Sequence, residues 1–341
     1  MKVFFGINRF HKIKIPQKTI VIAIGFFDGL HLGHQKVIEE AKNLAKKING
    51  YLFVLTFARH PKMIIKNETY ETFKLLLTNR EKIILLKKIN VNGVVFFNFN
   101  KTFSEINPKI FFSLISKKFK LKCLVVGKDF CFGADRKGNI DLLNVLTKKV
   151  NIELKVVNTL YLKEDGYLKE FDHEILLDEE IFKFRKISST FIKNELLLGN
   201  IEKVNLMLGY NFFIRNKVIK GLGLARKFGF PTANIFIPRN KILPEGVFVG
   251  RVNVDEKIYN AVLSSGKRES LDKNKFKAQS VLKLCLEAHI LDFNENIYGK
   301  EIEVYFIKKI RDQIKFETID LVFEQVKKDV EFVKDFNYKH F

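Results

Sequence analysis

Between residues 19 and 127 the chain alternates between two hydrophobic periods, and this alternation constrains the fold more than any single motif. Thr19–Phe26 is a β-branched apolar run without polar alternation, as expected of a strand covered on both faces. Leu32–Ile48 follows with Val37, Ile38, Ala41, Leu44, Ala45 and Ile48 at helical spacing. Further strand runs at Leu52–Phe57, Gly93–Phe99 and Leu121–Gly127 are separated by helical patterns at Asn79–Ile89 and Pro108–Phe119. Strands alternating with helices of this length imply right-handed βαβ crossovers and a parallel α/β sheet. Ligands of such sheets sit beyond the carboxyl ends of the strands.

The period then changes. After a helical stretch at Ser189–Leu208, strand patterns follow one another at Phe213–Lys220, Ala233–Pro238, Val247–Val254, Ile258–Leu263, Val281–Phe293 and Glu301–Lys309. Asp255-Glu256-Lys257 reads as a hairpin connection, although it lacks glycine. One amphipathic helix closes the chain, with Ile319, Val322, Phe323, Val326, Val330 and Val333 on one side. A small antiparallel barrel or sandwich with a terminal helix is expected. The change of pattern near Gly199–Glu202 predicts domains at 1–200 and 201–341. Two domains also fit 341 residues at roughly 150 residues per domain.

Sixty basic against 38 acidic residues leave a formal charge of +22, which suits an anionic partner. The lysines are spread over the whole chain with no long basic block, alongside 35 phenylalanines. That distribution reads as a compositional bias on solvated faces, so no specific nucleic-acid partner is expected. Cys123, Cys131 and Cys285 are widely spaced with no C-x-x-C, which argues against a disulfide framework or structural zinc. The apolar run Ile20–Phe27 stops at Asp28, far short of the ~20 residues of a membrane span. Met1–Gly6 is too short for a secretory signal. A cytoplasmic location without membrane association is the expectation.

The sharpest motif is Gly25-Phe26-Phe27-Asp28-Gly29-Leu30-His31-Leu32-Gly33-His34, placed where a buried strand turns into a helix. Such a turn leaves free backbone N–H groups at a positive dipole end, an anion site. Glycines let backbone approach a phosphate closely. His31 and His34, three residues apart on a first helical turn, share a face and can both donate to a polyphosphate. A metal site is the other use of a histidine pair, but no third ligand lies at suitable spacing.

The decapeptide resembles the HxGH superfamily of nucleotidylyltransferases, and the rest of the chain resembles one branch of it, bifunctional bacterial FAD synthetase. Leu55-Thr56-Phe57-Ala58-Arg59-His60-Pro61 is similar to that family's second strand end. Val126-Gly127-Lys128-Asp129-Phe130-Cys131-Phe132-Gly133, followed by Arg136 and Gly138, resembles its flavin-side signature. Ile187-Ser188-Ser189-Thr190-Phe191-Ile192-Lys193 resembles its S-S-T-x-I-R motif. The resemblance implies a Rossmann-like nucleotidylyltransferase domain joined to a flavokinase-like barrel. The implied enzyme is cytoplasmic and uses ATP and Mg²⁺, with riboflavin, FMN and FAD as its other small molecules.

Adenylyl transfer to FMN starts from a phosphate already ionised at neutral pH, so it needs positioning and charge stabilisation rather than a base. By resemblance, His31 and His34 stabilise phosphate charge, with Gly25, Phe26, Asp28 and Gly29 lining the ATP phosphates. Ser189, Thr190 and Lys193 would hold the outer phosphates, although Ser189 and Thr190 alone read as ordinary helix N-caps. Lys193 stands where the family has Arg and loses the bidentate fork. His60, Pro61, Asp129 and Arg136 are expected on the flavin side.

In the second half, Gly229-Phe230-Pro231-Thr232-Ala233-Asn234 matches the riboflavin kinase signature, whose Thr and Asn coordinate Mg²⁺. Gly221 and Gly223 resemble the flap over the ATP phosphates. The neutral ribityl hydroxyl needs a base, and Glu287 in Leu286-Glu287-Ala288-His289 resembles the residue that supplies it. Period two puts Glu287 and His289 on one strand face. Arg311 is the expected flavin contact of the closing segment. Departures gather here: Ser264–Ser270 replaces N-I-G-x-x-P-T, Ala225 replaces a flap Gly, and Tyr210-Asn211 replaces a basic residue plus Pro. Retention of one activity alone, adenylyl transfer first, is therefore the rival reading. A basic nucleic-acid-binding protein is the rival from another class.

Overall fold

Every residue of Ile20–Ile24 is buried, as its unbroken apolar sequence requires of a strand at the centre of a parallel sheet. The computed structural model describes residues 1–6, 18–65, 67–69, 72–163, 166, 168–171, 184–221, 225–268 and 283–338. In its first unit, Met1–Ser189, six parallel strands are β1 (Lys2–Phe5), β2 (Ile20–Ile24), β3 (Tyr51–Phe57), β4 (Gly93–Phe97), β5 (Leu121–Gly127) and β6 (Glu153–Val157). Their spatial order is β1-β4-β3-β2-β5-β6. The chain runs outward from β2 through β3 and β4, then returns to place β5 on the other flank of β2. The carboxyl ends of β2 and β5 therefore form the switch point at which such sheets bind ligands.

The helices are α1 (Leu32–Lys47), α2 (Pro61–Ile65), α3 (Asn79–Lys88), α4 (Lys101–Ser104), α5 (Pro108–Lys118) and α6 (Ile140–Lys149). Thr78 starts α3 with a capping box: its hydroxyl accepts from the Glu81 amide and the Glu81 carboxylate accepts from the Thr78 amide. The phenylalanine excess fills one layer of core, where Phe53, Phe97, Phe111, Phe112 and Phe119 pack against Ile20, Ile22 and Ile24. A small sheet of β7 (Thr159–Lys163), β8 (Leu168–Phe171) and β9 (Phe184–Lys186) follows, and Lys36 of α1 forms an ion pair with Glu170 of β8.

The second unit, Thr190–Phe341, begins within α7 (Ser189–Leu197), which is followed by α8 (Ile201–Leu208). The expected single helix over Ser189–Leu208 is interrupted at Gly199, which takes a left-handed φ of 79°. The units meet at Ser189/Thr190, inside α7, where the sequence pattern put the boundary at 200/201. Asn205 of α8 donates to the Phe306 carbonyl at 2.9 Å and accepts from the Phe212 amide at 2.7 Å. The strands that follow α8 close into a barrel, the first of the two architectures the pattern allowed. They are β10 (Phe213–Ile219), β11 (Ala233–Ile235), β12 (Gly246–Val254), β13 (Lys257–Arg268), β14 (Lys283–Ile290) and β15 (Glu301–Arg311), in the order β10-β11-β14-β13-β12-β15. Asp255 and Glu256 make the tight β12–β13 turn with φ of 48° and 69°, the left-handed pair of a primed turn without glycine. Helix α9 (Ile319–Asp335) lays Val326, Val330 and Val333 against Val249, Val262 and Ile307 of the barrel.

Candidate active sites

In the first unit the chain leaves β2 through a strained turn. Phe27 has φ 54°, Gly29 φ 79° and Leu30 φ 39°, a run of left-handed backbone that only surrounding bonds can hold. Asp28, almost fully buried, accepts at Oδ1 from the Leu76 amide at 2.9 Å and the Leu77 amide at 3.3 Å. Ser189 donates its hydroxyl to the Asp28 carbonyl at 2.7 Å, and Gln35 donates its side-chain amide to the Leu30 carbonyl at 2.8 Å. The turn ends at His31, the N-cap of α1, whose extended backbone accepts the first helical bond from the Gln35 amide at 2.9 Å. The His31 ring makes no cap, so the first-turn amides of α1 keep no intrahelical acceptor.

The two histidine rings stack at 3.6 Å between centroids, 21° from parallel, and the Phe27 ring stands edge-on to His34 at 5.3 Å. Their Nδ1 atoms are buried without a hydrogen-bond partner among the described residues. Burial takes the His31 pKa down to about 4, against the smaller pull of Asp28. Burial, then the charges of His31 and Lys82, holds His34 well below the ordinary imidazole range. Both rings are thus neutral at pH 7, able to donate one N–H each to an incoming anion. His31, His34, Gly25, Phe26, Asp28, Gly29 and Ser189 are brought into this one turn and its supports, and Thr190 and Lys193 follow Ser189 on α7.

In the second unit, strand register assembles the other constellation. Asn234 of β11 pairs directly with Glu287 of β14, which pairs on its other side with Ser264 of β13. Thr232 stands with its hydroxyl 3.4 Å from the Glu287 carboxylate. Cys285 completes the group, its Sγ 3.8 Å from the Glu287 carboxylate and 4.0 Å from the Asn234 side-chain oxygen. Gly221 lies close to this row: a Cβ there would sit 2.3 Å from the Asn234 side-chain nitrogen and would push that side chain aside. The expected face alternation holds, since Leu286, Ala288 and Ile290 are buried while Glu287 and His289 are partly exposed. Thr232 also lines a cavity of about 180 Å³ with Arg226, Pro231, Ala288, Ile290 and Tyr298. Among the described residues no three His, Cys, Asp or Glu side chains gather as a metal site. A cation here would rest on the oxygens of Thr232 and Asn234 with those of a bound phosphate, a donor set that fits Mg²⁺.

Comparison with known proteins covers both units. The FAD synthetase family model matches residues 13–167 and the riboflavin kinase model residues 208–337. The chain is 33% identical to the bifunctional riboflavin kinase/FMN adenylyltransferase of Haemophilus influenzae, covering 97% of this chain and 98% of that one. It is 31% identical to the protein of the same name from Buchnera aphidicola subsp. Schizaphis graminum, over 98% of this chain and 99% of the relative. This chain belongs to the bifunctional riboflavin kinase/FMN adenylyltransferase family. A crystal structure from Streptococcus pneumoniae, titled a macrolide-efflux protein, superposes with a TM-score of 0.81 at 28% identity, covering 99% of this chain and all of that one. Among the described residues no helix here is long and apolar enough to cross a membrane.

Within that family frame, the flavin-side residues are dispersed. A groove of about 1090 Å³ is lined by Arg136 together with Arg59, Met63, Phe99 and Lys101. His60 sits between the rings of Phe26 and Phe73, at 4.1 and 4.4 Å, and accepts at Nδ1 from the Lys62 amide. Pro61 opens α2, and Asp129 forms an ion pair with Lys186. Arg311, expected at the flavin, turns its guanidinium to Asp329 of α9, with Nη2 donating at 2.6 Å and Nε at 3.0 Å. It clamps the terminal helix to β15. Gly223, Glu269 and Ser270 lie outside the described residues. Sequence reasoning missed Lys82, a buried lysine of α3 that donates to the Phe26 carbonyl at 2.6 Å. Its signal was a charge in phase with Leu85 and Leu86 on the apolar face of the helix.

Proposed function

We propose that the second unit transfers the γ-phosphoryl group of ATP to riboflavin and that the first transfers the adenylyl group of a second ATP to the resulting FMN, giving FAD. The observation that carries this reading is the presence in one chain of two separate constellations: the stacked histidine pair at the β2–α1 turn and the Thr232, Asn234 and Glu287 row of the barrel. Each suits one step.

In adenylyl transfer a phosphate oxygen of FMN bonds to the α-phosphorus, and the bond to the β-phosphate breaks, releasing pyrophosphate. The neutral imidazoles of His31 and His34 donate to the phosphate oxygens as charge shifts, and the free amides of α1 add their dipole end. The rigid turn at Asp28 holds both in place before substrate arrives, which is where such stabilisation gains its strength. Thr190 and Lys193 are assigned to the outer phosphates, and Arg136 with its groove to the flavin side.

In the kinase step Glu287 takes the proton of the ribityl hydroxyl as its oxygen bonds to the γ-phosphorus and ADP leaves. Thr232 and Asn234 would hold Mg²⁺, which would neutralise phosphate charge there. Gly221 lies against the Asn234 side chain, beside the assigned cation site. The enzyme works in the cytoplasm on small molecules, with no nucleic-acid partner. Incubation with riboflavin, ATP and Mg²⁺ and timed chromatography of the flavins tests the reading. FMN should appear first and FAD follow. FAD from supplied FMN without any phosphorylation of riboflavin would restrict the function to the first unit, as the altered Ser264–Ser270 segment allows.

A further inference from the structure

Lys82 is 1% exposed, yet its charge lies directly beneath the phosphate turn. Its ammonium donates to the Phe26 carbonyl at 2.6 Å, to which the Thr56 hydroxyl also donates at 2.8 Å, and lies 3.3 Å from that hydroxyl. It sits 4.5 Å from the centroid of the Phe26 ring and 6.0 Å from that of Phe96. Phe26 is the last residue before the left-handed run that presents His31. Helix α3 is itself tied to the turn, because Asp28 receives the Leu76 and Leu77 amides just before the Thr78 cap. A methionine would fill the same space without desolvating a charge, so packing alone does not account for a lysine.

Among the described residues the charged surroundings are few. Asp28 faces Lys82 from the turn and favours its charged form, while burial brings its pKa down to about 8. His34 of α1 feels the Lys82 charge directly, and His31 feels Asp28 and Lys186 of β9. β3 and β4 contribute Thr56 and Phe96, which do not titrate in the accessible range. Glu81, its neighbour on α3, is held by Thr78.

We propose that Lys82 is a positioning residue for adenylyl transfer: from behind the turn it fixes the Phe26 carbonyl and supplies a buried positive charge next to the His31–His34 pair. The proposal rests on the reading of the first unit as the adenylylating site. It makes α3, which carries none of the residues expected to touch ATP, part of the machinery.

The test uses the full chain and its Lys82→Met, Lys82→Arg and His34→Ala variants. FAD formation from FMN is followed from pH 6.5 to 10, with riboflavin phosphorylation measured in the same preparations. Lys82→Met should lower kcat for FAD formation on the order of 10²-fold, with KM for FMN nearly unchanged and riboflavin phosphorylation intact. The parent kcat should fall as pH rises through about 8, where the ammonium discharges. That limb should vanish in Lys82→Met and move upward in Lys82→Arg, which keeps its charge and restores much of the rate. A parental kcat in Lys82→Met, or a limb that stays at the same pH in either variant, overturns the proposal. Should Lys82→Met fail to fold, the limb of Lys82→Arg decides alone. If His34→Ala also retains full FAD formation, the site reading fails, and Lys82 with it. If only His34→Ala is impaired, the site stands and Lys82 is structural.

Discussion

The two constellations are built on opposite principles. At the β2–α1 turn His31 is buried, the Nδ1 atom of His34 is shielded, and both rings are neutral and held by left-handed backbone that Asp28, Ser189 and Gln35 pin. In the barrel, Asn234, Glu287 and Ser264 lie side by side because β11, β14 and β13 pair in one register, and Glu287 stays partly exposed. The first site stores desolvation and strain, and the second stores only registry. Adenylyl transfer, with an ionised nucleophile, needs pre-set donors in a dry pocket, whereas phosphorylation of a neutral hydroxyl needs a carboxylate that remains charged. The architecture of each site follows the protonation state of its acceptor.

The largest expected effect breaks the second site alone. Glu287→Gln keeps the shape and the Thr232 contact but cannot take a proton. Steady-state kinetics of riboflavin phosphorylation should show kcat and kcat/KM falling together by roughly 10²–10⁴-fold. Nucleotide affinity, measured separately, should hardly move. A near-parental kcat would make Glu287 a solvated strand residue. The reciprocal change, His31→Ala or His34→Ala, should lower FAD formation from FMN by ~10²-fold or more and leave phosphorylation of riboflavin standing. Simultaneous loss of both activities in a folded protein would erase the distinction between the sites.

A smaller effect sharpens the registry argument. Asn234→Ala removes one oxygen from the proposed cation site without touching the pairing of β11 with β14. The KM for Mg²⁺–ATP should rise on the order of tenfold, the scale of one lost strong polar contact, and extra Mg²⁺ should recover part of it. Loss of kcat that metal does not recover would point to a role in orienting Glu287 instead.

Legibility in the sequence divides along the same line. The central strand and α1 were readable because full burial leaves an unbroken apolar run and a 3.6-residue period, and α1 was expected to within one residue. β1 and β6 were not, because edge strands are half solvated: Glu153–Val157 carries Glu and Lys between its apolar residues. Period-two reasoning put Glu287 and His289 on one face, but pairing with Asn234 depends on a partner strand more than 50 residues away in sequence, with |i−j| of 55 for the Thr232 contact. The left-handed Phe27 and Leu30 were illegible, since Phe and Leu, unlike Asn or Asp, give no sign of positive φ. The pairing of Arg311 with Asp329 was illegible too, since the resemblance placed Arg311 on the flavin side and carried no sign of an ion pair to α9.

The smallest effect tests whether the dryness of the first site is felt by the fold. His31 has its folded pKa near 4, below the ordinary 6.5, because burial opposes its charge. Between those values the unfolded chain binds the proton that the folded chain refuses, so stability rises with pH across this window. Acidification from pH 6.5 toward 4 should therefore lower the melting temperature of the first unit more steeply than in His31→Asn, which has no proton to take up. His34, also held below the ordinary range by burial, adds to the same slope. Calorimetry of the full chain and both variants, His31→Asn and His34→Asn, at several pH values between 7.5 and 4.5 measures it. The parent and the two variants losing stability in parallel would mean that the rings are already hydrated in the free protein. The contrast with the barrel site would then rest on backbone strain alone.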